Sequence, residues 1–374
     1  MRSSVRAVPL VAALGVVSLV VLSLLGATPA GAVTGQYWVG KLQLTKVWKI
    51  TRGAGVTVAV VDSGVPPTGD LGSRLLAGRS FVGGGSGRVD PGQSTGGGGN
   101  YSHGQNMAEI VAGDGSDGIT GIAPEAKILP VKVGAATGSS VAPGPVAAGI
   151  RYAVQHGAQV VNLSLAGSGR CGSEAAAAIK YAYRHDVVVV AGAGNDGAAE
   201  VDSPADCPGA LAVSGIDSKA RPWSGSNYGP EIDVTNFAKD IPGVTFTGQQ
   251  GATNGTSEAT AFTSGEIALL RAKYPHDSAR AIVTRLLYGI DNLTTTVKNG
   301  TRVNDHVGYG VPVPLDELRD TVPSSAPNPI YDQFFSELGA GSGNTAATHS
   351  SSPSSGPGSS QAAPPATGAP PSHA

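Results

Sequence analysis

Between residues 33 and 322, short unbroken apolar runs alternate with longer stretches whose apolar residues recur every three or four positions. The runs at 56–61 (VTVAVV), 127–133 (KILPVKV), 159–165 (QVVNLSL), 187–190 (VVVV) and 211–213 (LAV) are bounded by Gly, Pro or Asp and predict strands. The stretches at 107–112, 146–156 and 173–184 predict helices. A further helix is predicted over 258–273, with Ala259, Phe262, Ile267, Leu269, Leu270 and Ala272 on its apolar side and Pro275 as its stop. Strand and helix in turn imply an α/β fold, a mostly parallel sheet with helices on both faces, because right-handed crossovers place them there. Continuous valine runs fit strands buried on both sides.

The two ends of the chain break this pattern. Residues 1–32 carry Arg2 and Arg6, then an apolar run over 7–25, then Ala30-Gly31-Ala32, which together read as a signal peptide. The run is long for a cleaved signal, so an uncleaved membrane anchor is the alternative. Export is the expectation either way. Residues 323–374, ending in SSPSSGPGSSQAAPPATGAPPSHA, hold few side chains able to build a core and read as a disordered tail. Residues 33–322 then form the one large domain.

With 25 Lys plus Arg against 27 Asp plus Glu, no basic surface marks nucleic acid as a partner. Cys171 and Cys207 are the only cysteines. In an exported domain they predict a disulfide, worth roughly 3–4 kcal/mol in the chain-entropy view, with two free thiols as the alternative.

In a sheet of this kind functional groups gather at the carboxyl ends of strands. That rule selects Asp62, at the end of VTVAVV, and Asn195, after VVVVAGAG, although each also suits a turn. Ser257, in NGTSEATAFTSG, stands where a helix begins and can be a cap or a nucleophile. A nucleophilic serine needs a base, and histidine is the usual one. Of seven histidines, His156 closes a predicted helix with Gly157 behind it, whereas His103 opens one. His103 is the candidate base. His185, His276 and His306 lie near element ends without a partner motif, and His349 and His373 fall in the tail.

Five segments, VAVVDSGV, SHGQNMAEIVAG, VVNLSLAG, VVVVAGAGNDG and NGTSEATAFTSG, resemble in order the signatures of subtilisin-like serine peptidases. The stretches GITGIAPEAKILPVKV and SGSNYGPEIDV are similar to that family's connecting segments. The resemblance implies Ser257 as nucleophile, His103 as base, Asp62 as the acid that orients it, and Asn195 in the oxyanion hole. It also implies that Ser164, Leu165 and Ala166 pair with an extended peptide or protein substrate, and that Gly192, Ala193 and Gly194 border the specificity pocket with Asp196 at its mouth. No cofactor is required. Calcium stabilises relatives, and Asp114, Asp117 and Gln36 lie where it would be sought, but two acids in a Gly-rich loop are more often a solvated turn, so no site is claimed.

The pattern has departures. Ser102, Gln105 and Glu109 replace glycine, threonine and glycine around His103, and Glu258 follows the serine where an apolar residue is usual. Ala261 and Phe262, with a cysteine soon after the SLAG segment, resemble the mycosin branch, which implies membrane-associated secretion machinery as a partner. The tail ends without the transmembrane helix usual there, and little chain separates Ala32 from the domain for an inhibitory pro-segment.

An exported serine endopeptidase is the reading that results. Its rival is a subtilase scaffold with decayed chemistry, acting as a binding or assembly component. An esterase is disfavoured, because those enzymes set the serine in G-x-S-x-G and order the triad differently.

Overall fold

The computed structural model describes residues 35–88, 103–116, 118–134, 142–167, 169–244, 250–291 and 302–337. The signal segment 1–32, Asp117 and the tail beyond 337 lie outside the described residues.

Seven strands form the main sheet: β1 Thr57–Asp62, β2 Arg79–Ser80, β3 Lys127–Lys132, β4 Val160–Leu163, β5 Val188–Gly192, β6 Ala210–Ile216 and β7 Val234–Phe237. Their order is β2-β3-β1-β4-β5-β6-β7, with every pairing parallel. Helices are α1 Tyr37–Lys41, α2 Leu44–Val47, α3 His103–Ala112, α4 Pro143–Gln155, α5 Ser173–Arg184, α6 Thr256–Lys273, α7 Ala279–Tyr288, α8 Pro314–Glu317 and α9 Pro329–Glu337. The α/β expectation holds, and the predicted strands sit within a few residues of the observed ones. β7 and α7 had no strong run to announce them.

Register explains how both faces are buried. Ala59, Val161, Val189 and Ala210 stand in one row, and they pack with Ile150 of α4 and Ile179 of α5. Val60, Asn162, Val190 and Leu211 form the next row, on the opposite face, toward α6. Asn162 sits in that apolar row because its Oδ1 accepts from Ser264 Oγ of α6 at 3.0 Å.

Helix α6 departs from its predicted amphipathic form. It is buried on nearly all sides, from Thr256 to Arg271, because the sheet lies beneath it and α3 and α7 flank it. Glu266 on this helix is fully buried, and so is Glu317 of α8. Asn236 Nδ2 donates to Glu266 Oε2 at 3.0 Å. Among the described residues, Glu266 Oε1 and both Glu317 oxygens accept no hydrogen bond. Burial raises both carboxyls well above the usual range, and the charges of Glu266 and Asp316 raise Glu317 further.

A carboxyl raised in the folded state favours folding while protonated, and that stability is lost as pH rises above the unfolded value. Glu317→Gln is therefore expected to raise the unfolding temperature at pH 8 by a few degrees, the order of ~1 kcal/mol, and to change little at pH 4. Thermal melts at the two pH values check this; equal shifts at both would contradict it.

The tail expectation needs correction between 323 and 334. Tyr331 and Phe334 of α9 are buried, with their rings 4.8 and 5.7 Å from that of Tyr183. Arg280 Nε pairs with Asp332 at 2.9 Å, and Asn328 Nδ2 donates to Arg280 O at 3.0 Å. Two aromatic anchors suffice to dock a segment whose flanks are Ser, Pro and Ala, so the compact unit runs to Phe334. Among the described residues no helix is long and apolar enough to cross a membrane.

Candidate active site

Asp62 is the last residue of β1 and Asn195 follows β5 by three, so both stand at the carboxyl edge of the sheet. Asp62 is 4% exposed and receives the Ser63 backbone N–H on Oδ1 at 2.6 Å. His103, the first residue of α3, places Nδ1 2.8 Å from Asp62 Oδ1 and 3.0 Å from Oδ2. An Nδ1–H held by a carboxylate leaves Nε2 of the neutral ring as the proton acceptor. Burial pulls the His103 imidazolium down, but the charge and hydrogen bond of Asp62 and the charge of Glu258 outweigh it, lifting the pKa to about 9.

The departures around His103 are accommodated. Glu109 and Gln105 are both buried, one helical turn apart, and Gln105 Nε2 donates to Glu109 Oε1 at 3.0 Å. With both side chains buried in α3, His103 keeps its place beside Asp62.

Ser257 is the second residue of α6. The capping reading is corrected here: Gly255 is the cap residue, no side chain caps the helix, and the Ser257 hydroxyl donates to Ser164 O at 3.4 Å. No hydrogen bond joins Ser257 to His103 in this conformation, a bond that is often long or unformed without substrate. Ser164 Oγ donates to Ser257 O at 2.8 Å and accepts from Asn162 Nδ2 at 3.0 Å. A buried chain of polar groups thus fixes the main chain of Ser257 to the end of β4.

Asn195 is oriented by its neighbour in the same turn. Its Oδ1 accepts from Thr256 N at 2.8 Å and Thr256 Oγ1 at 3.0 Å, which leaves Nδ2 to donate outward. A β-carbon on Gly255 would stand 3.6 Å from Asn195 Nδ2, 3.6 Å from Ser257 N and 2.7 Å from Glu258 Oε2. Any side chain at Gly255 would collide with the Glu258 carboxylate, so glycine keeps this turn compact beside Asn195 and Ser257. Thr256 was not singled out from sequence, although it lies inside the same motif; its role depends on the fold bringing β5 to α6.

Leu165 and Ala166 continue past the end of β4 and are half-buried, while Gly192, Ala193 and Gly194 are buried at the end of β5. Asp196 is exposed, and its backbone N–H donates to Asn227 Oδ1 at 2.9 Å. Cys171 and Cys207 place their sulfurs 2.03 Å apart, the spacing of a disulfide. His156 caps α4, its Nδ1 2.8 Å from Tyr152 O and its ring stacked on Tyr152, as its structural reading implied.

The residues considered for calcium serve other bonds. Arg74 Nη1 lies 3.1 Å from Asp114 Oδ2, and Arg74 Nη2 donates to Asp70 O and Ala112 O. Gln36 Nε2 donates to Gly118 O at 2.6 Å and Gln36 Oε1 accepts from Thr120 N at 2.8 Å. Among the described residues of this set, Asp114 is thus paired with Arg74, and Gln36 is bonded to the main chain of Gly118 and Thr120.

An imidazole held by a buried carboxylate, a serine at a helix start and an asparagine held by Thr256 beside it suit a serine hydrolase. Within that class the chain belongs to the subtilase family, whose model matches residues 53–310. It is similar to thermitase of Thermoactinomyces vulgaris, 36% identical over 242 residues, which are 64% of this chain and 82% of the relative. In structure it is similar to MycP1 from Mycobacterium smegmatis, with a TM-score of 0.65 at 25% identity, covering 82% of this chain and 89% of the other. It is also similar to the MycP3 protease from the type VII (ESX-3) secretion system, with a TM-score of 0.64 at 26% identity and coverages of 80% and 91%. A subtilisin-like peptidase near the mycosin branch is the result.

Proposed function

We propose that this protein is an exported serine endopeptidase that cuts peptide bonds through Asp62, His103 and Ser257. The observation that carries the reading is the Asp62–His103 pair, 2.8 Å apart at the edge of the sheet that also positions Ser257 and Asn195. Ser257 Oγ attacks the scissile carbonyl as His103 Nε2 takes its proton. The oxyanion is held by Asn195 Nδ2 and the Ser257 N–H. His103 then protonates the leaving amine, and a water activated by the same ring cleaves the acyl-enzyme. The Cys171–Cys207 disulfide and the amino-terminal signal pattern support action outside the cytoplasm. The likeness to the MycP3 protease from the type VII (ESX-3) secretion system supports a place beside secretion machinery, with protein or peptide as substrate.

The test is turnover of an internally quenched peptide by the purified full chain, followed against pH. Because the base acts only when neutral, kcat/KM is expected to rise along a limb at about pH 9. Glu258→Gln removes one of the charges that raise His103 and is expected to move the limb to lower pH. A limb that does not move in this variant would contradict the electrostatic assignment; absence of turnover in a folded protein would contradict the peptidase.

A further inference from the structure

Asp202 and Ser203 tie together the two strand ends that flank the cleft beside Asn195. On one side the Asp202 N–H donates to Ala193 O at 2.9 Å; on the other, Ser203 O accepts from Gly167 N at 2.8 Å. The dipeptide therefore spans from the 192–194 wall to the 165–167 wall and forms the floor between them. Any β-carbon on Gly194 would overlap Asp202 Oδ2 and Asn227 Nδ2, so the wall is glycine where the carboxylate packs. Gly194 also has φ +110°, a conformation that glycine alone adopts readily. Asn227 is fixed by accepting from the Asp196 and Ala198 N–H groups at 2.9 and 3.1 Å.

The charge on this floor has no counter-ion of its own. Asp202 makes no side-chain hydrogen bond or ion pair among the described residues. Arg170 pairs instead with Asp206 at 3.7 Å and Glu231 at 3.4 Å. Burial first, then the charges of Asp196, Glu200 and Asp206, push the Asp202 carboxyl up to about 6. It remains ionised at neutral pH, in a setting that favours an incoming cation. The sulfur pair Cys171–Cys207 and the Cys171 N–H bond to Asp206 Oδ2 at 2.7 Å brace the floor against the wall beyond Gly167.

We infer that Asp202 makes this site selective for substrates with lysine or arginine on the amino side of the scissile bond, its carboxylate receiving the cationic end of that side chain. The inference rests on the endopeptidase reading and names its substrate class. Asp196, at the mouth, is by contrast an exposed group subject to salt screening.

The test compares two quenched peptides differing only by lysine or norleucine at that position, at pH 8, with the full chain. The lysine peptide is expected to have a kcat/KM at least about tenfold higher, a charge-assisted contact in a partly buried pocket. Asp202→Asn is expected to bring the ratio to about one, while Asp202→Glu keeps a preference for lysine and shows that the floor tolerates substitution. A ratio near one in the unaltered protein, or one that survives Asp202→Asn, would overturn the inference.

Fluorescence titration with p-aminobenzamidine reads the same floor without turnover. Affinity at least about tenfold weaker in Asp202→Asn supports the assignment even if no peptide is cut. No binding, or equal binding, overturns it. Failure of the endopeptidase reading shows separately, as a Ser257 that does not react with an organophosphorus probe.

Discussion

Ser257→Ala and His103→Ala are each expected to lower kcat by about 10⁵-fold or more, and the double variant is expected to fall no further. The equality follows from the division of labour. Without its base the serine hydroxyl is a weak nucleophile at neutral pH, and without the hydroxyl the base has nothing to activate. What remains in either variant comes from the N–H donors of Asn195 and Ser257, which the substitutions leave in place, because Asn195 is held by Thr256 rather than by the triad. Helix α6 should also survive Ser257→Ala, since Gly255 ends it and the Ser257 side chain caps nothing. Initial rates on a quenched peptide, with circular dichroism beside them, check this. Additive losses in the double variant would show that the two residues do not act as a unit.

Asp62→Asn is expected to cost about 10⁴-fold in kcat with little loss of fold. The hydrogen-bond pattern explains why so small a change has so large an effect. Asp62 Oδ1 accepts the Ser63 N–H at 2.6 Å, which obliges the variant to place its amide oxygen there. The amide nitrogen then occupies the position of Oδ2, 3.0 Å from His103 Nδ1, and presents a donor to it. Nδ1 must become the acceptor, the ring proton moves to Nε2, and the base is lost. The same substitution removes the largest influence raising His103, so the small residual activity should titrate at lower pH than in the unaltered protein. A loss below about tenfold would show that Asp62 does not set the tautomer.

The parts of this site that were legible in sequence are those whose chemistry is local. Asp62 and Asn195 stood out because they follow valine-rich strands, and His103 because it opens a helix whereas His156 closes a different one. Ser257 was legible as a position but ambiguous as a role: a serine at a helix start looks the same whether it caps or attacks. In the fold its side chain caps nothing, and its hydroxyl donates to Ser164 O just past β4.

What escaped the sequence depends on surfaces meeting across the fold. Asp202 lies in VDSPADC, which reads as an ordinary turn until Gly167 and Ala193 are seen to converge on it. Glu266 and Glu317 are separated by a helix and a long connection, so their shared burial has no local signature. The apolar anchors of α9 are Tyr331 and Phe334, and composition averages them away among Pro and Ser. The uniform burial of α6 was hidden for a related reason, since its Thr, Ser and Glu positions look solvent-facing until Asn162 and Asn236 meet them.

The central claim is that Ser257 is an activated nucleophile. The most direct measurement is labelling of the purified full chain with a fluorophosphonate probe, followed by peptide mapping, with Ser257→Ala and His103→Ala beside it. Label on the peptide that contains Ser257, absent from both variants, is the predicted result. No label on a folded protein, or label that persists in His103→Ala, would contradict the account.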